Sequence, residues 1–133
     1  MKSLLLLRHA KSSWDEPGLA DRDRPLAPRG RRAAKALAGH LGQEGVQPAL
    51  VLCSSARRAR ETLERIAPAL GEADVTIEDG LYGATEDDLL ERLRAVPDSV
   101  PSAMLIGHNP AIQALALCLA GSGAGLEIGR AHV

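Results

Sequence analysis

Two histidines and several arginines stand at the ends of apolar runs in this chain, and that placement gives them chemical meaning. Leu4-Leu5-Leu6-Leu7 runs into Arg8-His9, and Ala49-Leu50-Val51-Leu52-Cys53 runs into Ser54-Ser55-Ala56-Arg57-Arg58. Ala103-Met104-Leu105-Ile106 runs into Gly107-His108-Asn109. A neutral histidine offers a nucleophilic or basic nitrogen near pH 7. A guanidinium offers a planar fork of donors that suits phosphate or carboxylate. Helix starts add free backbone N–H groups and positive potential. Together these make a pocket for a dianionic phosphoryl group, provided the three segments meet.

They meet if the apolar runs are parallel strands, because an open α/β sheet binds ligands beyond the carboxyl ends of its strands. The chain reads that way. Buried strands are expected at 3–7, 49–53 and 103–106, with a short one at 75–77. Helices are expected at 28–41, opened by Pro28 and closed by Gly42 and Gly45, and at 56–70, where Pro68 disturbs the last turn. Two more are expected at 86–94, with a Thr85/Asp88 capping box, and from Pro110 to about 119, with Asn109 as N-cap. The apolar stripes are Ala33, Leu37 and Leu41; then Ala59, Leu63, Ile66 and Leu70; then Ile112, Leu115, Ala116 and Leu119. Residues 8–27 form a long charged loop that begins at the candidate site, and loops of that length are usually functional or disordered. Strands alternating with helices predict an α/β class with three layers, a mainly parallel central sheet covered on both faces.

Composition narrows the function. The 133 residues, 45% of them hydrophobic, suffice for one domain with a real core. With one Trp, one Tyr and no Phe, that core must be aliphatic, and single-stranded nucleic acids find no stacking platform. A net charge of −1 argues against nucleic-acid or membrane-surface partners. Cys53 and Cys118 form no CxxC pair and read as reduced core residues, which points to a cytoplasmic setting. The leucine run is too short for a signal peptide or a membrane span. A monomer is expected.

Arg8-His9-Ala10 resembles the RHG/RHA signature of the histidine phosphatase superfamily. Ser54-x-x-x-Arg58-Ala59-x-x-Thr62 resembles that family's second motif, and Gly107-His108-Asn109-Pro110 its second-histidine motif. Arg24-Pro25-Leu26 with Arg29-Gly30, Lys11-Ser12-Ser13-Trp14 and Leu81-Tyr82 resemble the SixA-type phosphohistidine phosphatase branch. The resemblance implies a phosphoglycerate mutase-like fold and a cofactor-free, metal-independent phosphatase. His9 would be its covalent nucleophile, and Arg8, Arg58 and His108 would bind the phosphoryl oxygens. Ser54 and Asn109 join the expected substrate-binding set. The substrate would be a phosphorylated protein histidine or a small phosphorylated metabolite. A general acid cannot be named, Asp21, Asp23, Glu78 and Asp79 being candidates.

Other readings stay open. The protein could be a small-metabolite phosphomonoesterase or mutase, or a phosphate-binding regulatory module with little turnover. His9 could be a strand-end histidine bonded to backbone. His9 and His108 could hold zinc, though no HExxH or cysteine pair accompanies them. Relatives of the resembled branch usually continue beyond the fourth helix into a further strand. Here the tail 126–133 lacks strand alternation beyond Leu126 and Ile128, and its last six residues resemble a translated sequencing-library adapter. A single domain over 1–133 is therefore expected, truncated at the C-terminus, with about 128–133 not native and an unpaired sheet edge.

Overall fold

A computed structural model describes residues 3–122 and 127–131, with side chains from 3 to 120. Five strands form one sheet: β1 (Ser3–Arg8), β2 (Leu50–Ser54), β3 (Asp74–Glu78), β4 (Ser102–Gly107) and β5 (Glu127–Ala131). Their spatial order is β3-β2-β4-β1-β5, and every pairing is parallel. Four helices connect them: α1 (Pro28–Glu44), α2 (Arg57–Ile66), α3 (Glu86–Arg94) and α4 (Ala111–Ser122).

The layering follows from handedness. The chain steps one way across the sheet from β1 to β2 to β3, then reverses toward β4 and β5. Parallel crossovers are right-handed, so the reversal moves the helices to the opposite face. Side chains alternate accordingly along the strands. Leu4, Leu6, Leu52, Ala103 and Leu105 pack with Leu89 and Leu93 of α3 and Ile112 and Leu115 of α4. Leu7, Val51, Cys53, Met104 and Ile106 pack with Leu37 and Leu41 of α1 and Leu63 and Ile66 of α2. This is the expected three-layer, phosphoglycerate mutase-like architecture.

Local chemistry explains most boundaries. The Thr85/Asp88 capping box forms in both directions, and Gly45 closes α1 at φ 66°. The helix at Arg57 stops at Ile66, and residues 67–69 around Pro68 tighten into a 3-10 turn. On α1 the buried stripe is Gly30, Ala34, Leu37 and Leu41, so Ala34 takes the place expected of Ala33. Leu119 is only partly buried.

Two expectations are corrected: Cys53 is buried as expected of a core cysteine but Cys118 is exposed, and the sheet edge is not left open. The sheet edge beside β1 is paired, because Glu127–Ala131 runs parallel to Ser3–Leu7. A strand buried on its other side by β4 presents a row of unpaired N–H and C=O groups, and a five-residue extended segment satisfies them without needing an alternating pattern. Residues 123–126, and 132–133 of the stretch read as not native, lie outside the described residues. Among the described residues no helix is long and apolar enough to cross a membrane.

The long loop is folded back on itself. Ser13 N–H donates to Pro25 O at 2.8 Å and Ala27 N–H to Lys11 O at 2.9 Å, with a 3-10 turn at Asp21–Asp23. Gly30 lets α1 start against this loop, since a Cβ there would collide with the Lys11 carbonyl. Gly30→Ala is expected to cost about 1–3 kcal/mol through overpacking. Calorimetry should show a lowered melting temperature; an unchanged one would mean that the loop yields.

Candidate active site

The carboxyl ends of β1, β2 and β4 lie side by side, with Arg8 in register with Gly107 and Cys53 with Ile106. Arg8 is therefore the last strand residue, and His9 the first beyond it, its N–H donating to Gly107 O at 3.1 Å. The next residue, Ala10, is fully buried, and its amide donates to Thr62 Oγ1 at 3.0 Å. Thr62 in turn donates to Arg58 O at 2.8 Å. Arg58 and Thr62 lie four residues apart on one face of α2, and the small Ala59 lets that helix approach the sheet. This is why the Ser54…Arg58-Ala59…Thr62 spacing serves the histidine that follows β1.

The His9 ring is oriented by its backbone. Nδ1 lies 2.7 Å from Ala10 O, which can only accept, so Nδ1 carries the proton and Nε2 the lone pair. Arg58 Nε–H donates to that Nε2 at 3.3 Å. Burial, opposed by the Ala10 carbonyl and aided by the Arg58, Arg8 and Arg24 charges, lowers the His9 pKa to about 4. The imidazole is neutral at pH 7. Being bonded to backbone through Nδ1 and holding a lone pair on Nε2 are thus compatible roles for one ring.

His108 stands 5.0 Å from His9, centroid to centroid. Its Nε2 lies 2.7 Å from Ser54 Oγ, which also accepts from the Ala56 amide at 3.2 Å. The arrangement that uses the serine proton has Ser54 donating to Nε2, which leaves the ring proton on Nδ1. That Nδ1 is buried and has no hydrogen-bond partner among the described residues. Burial, with His9 and Arg58 nearby, lowers the His108 pKa to about 4. Ser54 itself is fully buried and reaches the site through His108. Asn109 Oδ1 accepts from Gln113 N at 3.1 Å and so caps α4.

The sequence left one cluster unassigned. Arg58 donates to Asp21 O at 2.7 Å and Asp21 Oδ2 at 3.0 Å, and Tyr82 OH donates to the same Oδ2 at 2.7 Å. Arg24 donates to Asp21 Oδ1 at 3.0 Å, to Ser13 O and to Ser12 Oγ, pinning the loop. The Tyr82 hydroxyl, then Arg58 and Arg24, hold the Asp21 carboxyl down at about 2. The Asp21-x-x-Arg24 spacing across a tight turn is the signal that could have paired these two. Asp79 faces Arg22 and Glu78 is gripped by Arg92, so both are engaged away from the histidine pair. Cys53 is a fully buried thiol pushed up to about 12 and is chemically quiet.

A cleft of about 570 Å³ opens at His9, which lines it together with Arg8, Lys11, Ser12, Trp14, Arg29 and Ala33. Arg8 thus faces this cleft, while Arg58 reaches His9 Nε2. Among the described residues no three His, Cys, Asp or Glu side chains stand close enough to share a metal ion.

Sheet order and site together define a phosphoglycerate mutase-like α/β protein with a histidine pair at its carboxyl edge. Residues 4–86 match the model of the histidine phosphatase superfamily (branch 1). An uncharacterized protein of Mycobacterium leprae is 42% identical over 120 residues, covering 88% of this chain and 73% of that protein. A solved structure named for the phosphohistidine phosphatase SixA of Agrobacterium tumefaciens superposes with a TM-score of 0.83 at 34% identity, covering 89% of this chain and 77% of that one. The tungstate complex of the protein histidine phosphatase SixA superposes with a TM-score of 0.74 at 25% identity, covering 84% and 72%. This chain belongs to the histidine phosphatase superfamily.

Proposed function

We propose that the protein is a phosphatase of the SixA type, cleaving phosphohistidine through a phosphohistidine intermediate on His9. One observation carries the reading: a neutral His9 Nε2 lone pair sits 3.3 Å from Arg58 Nε, in a ring whose centroid is 5.0 Å from that of His108, and His108 Nδ1 has no partner among the described residues. An incoming phosphoryl oxygen takes the Arg58 N–H, which frees the lone pair. Nε2 attacks phosphorus, and the bond to the leaving nitrogen or oxygen breaks with its electron pair on the leaving group. The Ala10 carbonyl stabilises the charge that the phosphorylated ring gains through its Nδ1–H. Arg58 and His108 Nδ1–H hold the oxygens where charge builds, and Arg8 stands on the adjoining side. Water then attacks the phosphorus, the P–N bond returns its pair to His9, and phosphate leaves with the water's proton shared to solvent.

The leaving group follows from the carboxylates. Asp21 is the carboxylate that touches this site, and with its pKa held at about 2 it is ionised and has no proton to give. Phosphohistidine that has taken a solvent proton on its other ring nitrogen releases a neutral imidazole, whose conjugate acid has a pKa of about 6.5, so no acid from the protein is needed. Phosphoserine must release an alkoxide, close in basicity to hydroxide from water at about 15.7. General acids contribute roughly 10²–10⁴-fold where they are needed. Kinetics on matched phosphohistidine and phosphoserine peptides should therefore show kcat/KM at least about 100-fold higher for phosphohistidine. Comparable values on the two peptides would reject the reading in favour of a general phosphomonoesterase.

A further inference from the structure

The cleft beside His9 carries more positive charge than one phosphoryl group requires. Arg8, Lys11 and Arg29 line it, and no carboxylate does; Asp15 and Glu16 follow Trp14 in the chain but stand outside the lining. Arg8, Lys11 and Arg29 make no ion pair or side-chain hydrogen bond among the described residues. The other arginines around the site are committed: Arg58 and Arg24 to Asp21, and Arg22 to Asp79. Unpaired cations cost little in water, but three converging on one concavity repel each other unless an anion joins them.

The fold builds this convergence. Ala27 N–H bonded to Lys11 O and the bare Cα of Gly30 bring the first turn of α1 against the loop, which sets Arg29 beside Lys11. Ser12 is held by Arg24, which also lies over the Trp14 ring, so the wall between the cleft and the Asp21 cluster is fixed.

We propose that Lys11 and Arg29 form a second anionic subsite, which takes a second phosphate of the substrate while His9 attacks the first. The inference rests on the reading of His9 as the phosphoryl acceptor. A phosphate is favoured over a carboxylate because its two negative charges match the two cations, where a carboxylate brings one. The subsite would add to phosphohistidine a second substrate class, a small molecule with two neighbouring phosphates such as a diphosphate. For a diphosphate the group expelled is itself a phosphate, which needs no acid to leave, in keeping with the ionised Asp21.

The test separates the subsite from the chemistry. Calorimetric titration of the intact protein compares methylphosphonate with methylenediphosphonate, neither of which can turn over. The diphosphonate is expected to bind roughly 10- to 100-fold more tightly, the range that charge-assisted hydrogen bonds supply. In the double variant Lys11→Gln/Arg29→Gln that advantage should vanish while methylphosphonate binding stays within about twofold. Hydrolysis of p-nitrophenyl phosphate by the same two proteins reports separately on His9. A diphosphonate advantage without hydrolysis keeps the subsite and removes the phosphatase reading. Hydrolysis without any diphosphonate advantage overturns the subsite. So does a preference for peptides with acidic residues flanking the phosphohistidine when methylenediphosphonate gains nothing, which would give the cleft to a protein's carboxylates.

Discussion

Replacing His9 by alanine is expected to lower turnover by about 10³-fold or more, because no other group can hold the phosphoryl intermediate. The fold should survive. His9 lies beyond the end of β1, and the neighbouring Ala10 amide keeps its bond to Thr62 at 3.0 Å. Circular dichroism and melting curves should therefore match those of the unaltered protein. In the unaltered protein, rapid quenching during turnover should trap phosphate on His9. A phosphoramidate is lost in acid and survives alkali, so the label should be acid-labile and map to the peptide containing residue 9. Retention of more than a few per cent of activity by His9→Ala, or an alkali-labile label, would show that another group is the nucleophile.

The second large effect is expected at Arg58. Its side chain is only 9% exposed and serves three partners at once: His9 Nε2, the Asp21 carbonyl and the Asp21 carboxylate. Arg58→Gln removes the charge facing the phosphoryl oxygens, a loss of about 10²–10³ in kcat by analogy with a deleted oxyanion donor. It should also move the pH profile, and the sign is determined. Burial and then cationic neighbours, Arg58 foremost, depress the His9 pKa from 6.5 to about 4. The unaltered protein should thus keep a neutral nucleophile, and its activity, down to roughly pH 4. Losing the Arg58 charge raises the His9 pKa, so the acid limb shifts toward higher pH. The shift should be partial, because burial remains the larger cause. A variant with less than about a tenfold loss in kcat and an unmoved acid limb would remove Arg58 from the chemistry.

The depressed histidines also bear on stability. Between pH 4 and 6.5 the unfolded chain binds protons at His9 and His108 that the folded chain excludes. Stability therefore rises with pH through that window and weakens as pH falls through it. Asp21 acts in the same direction at lower pH: its contribution is present above its ordinary value near 3.8 and is lost as pH falls toward about 2. At half exposure that contribution is small, because solvent screens it.

Much of this was legible in the chain itself. The four apolar runs, the helix starts at Pro28 and Thr85 and the polar residues at three strand ends follow from local rules of periodicity, capping and burial. Those rules are enough to bring His9, Ser54, Arg58 and His108 to one sheet edge, because parallel strands put all their carboxyl ends on one side. What tertiary structure decided are the facts that depend on distant residues meeting. The edge pairing of Glu127–Ala131 was hidden because a strand recruited by an open ladder needs no pattern of its own. Ser54 is a partner of His108 because the register of β2 against β4 sets its hydroxyl 2.7 Å from that ring. Asp21 looked like one of several loop carboxylates. Only the fold brings it to Arg58 and Tyr82, 37 and 61 residues away, and so holds it ionised. The cationic cleft has the same origin, since Lys11 and Arg29 entered the sequence reading only as parts of two separate motifs with no role assigned. They become neighbours where the loop folds back and Gly30 lets α1 close against it, a contact that depends on the absence of a side chain.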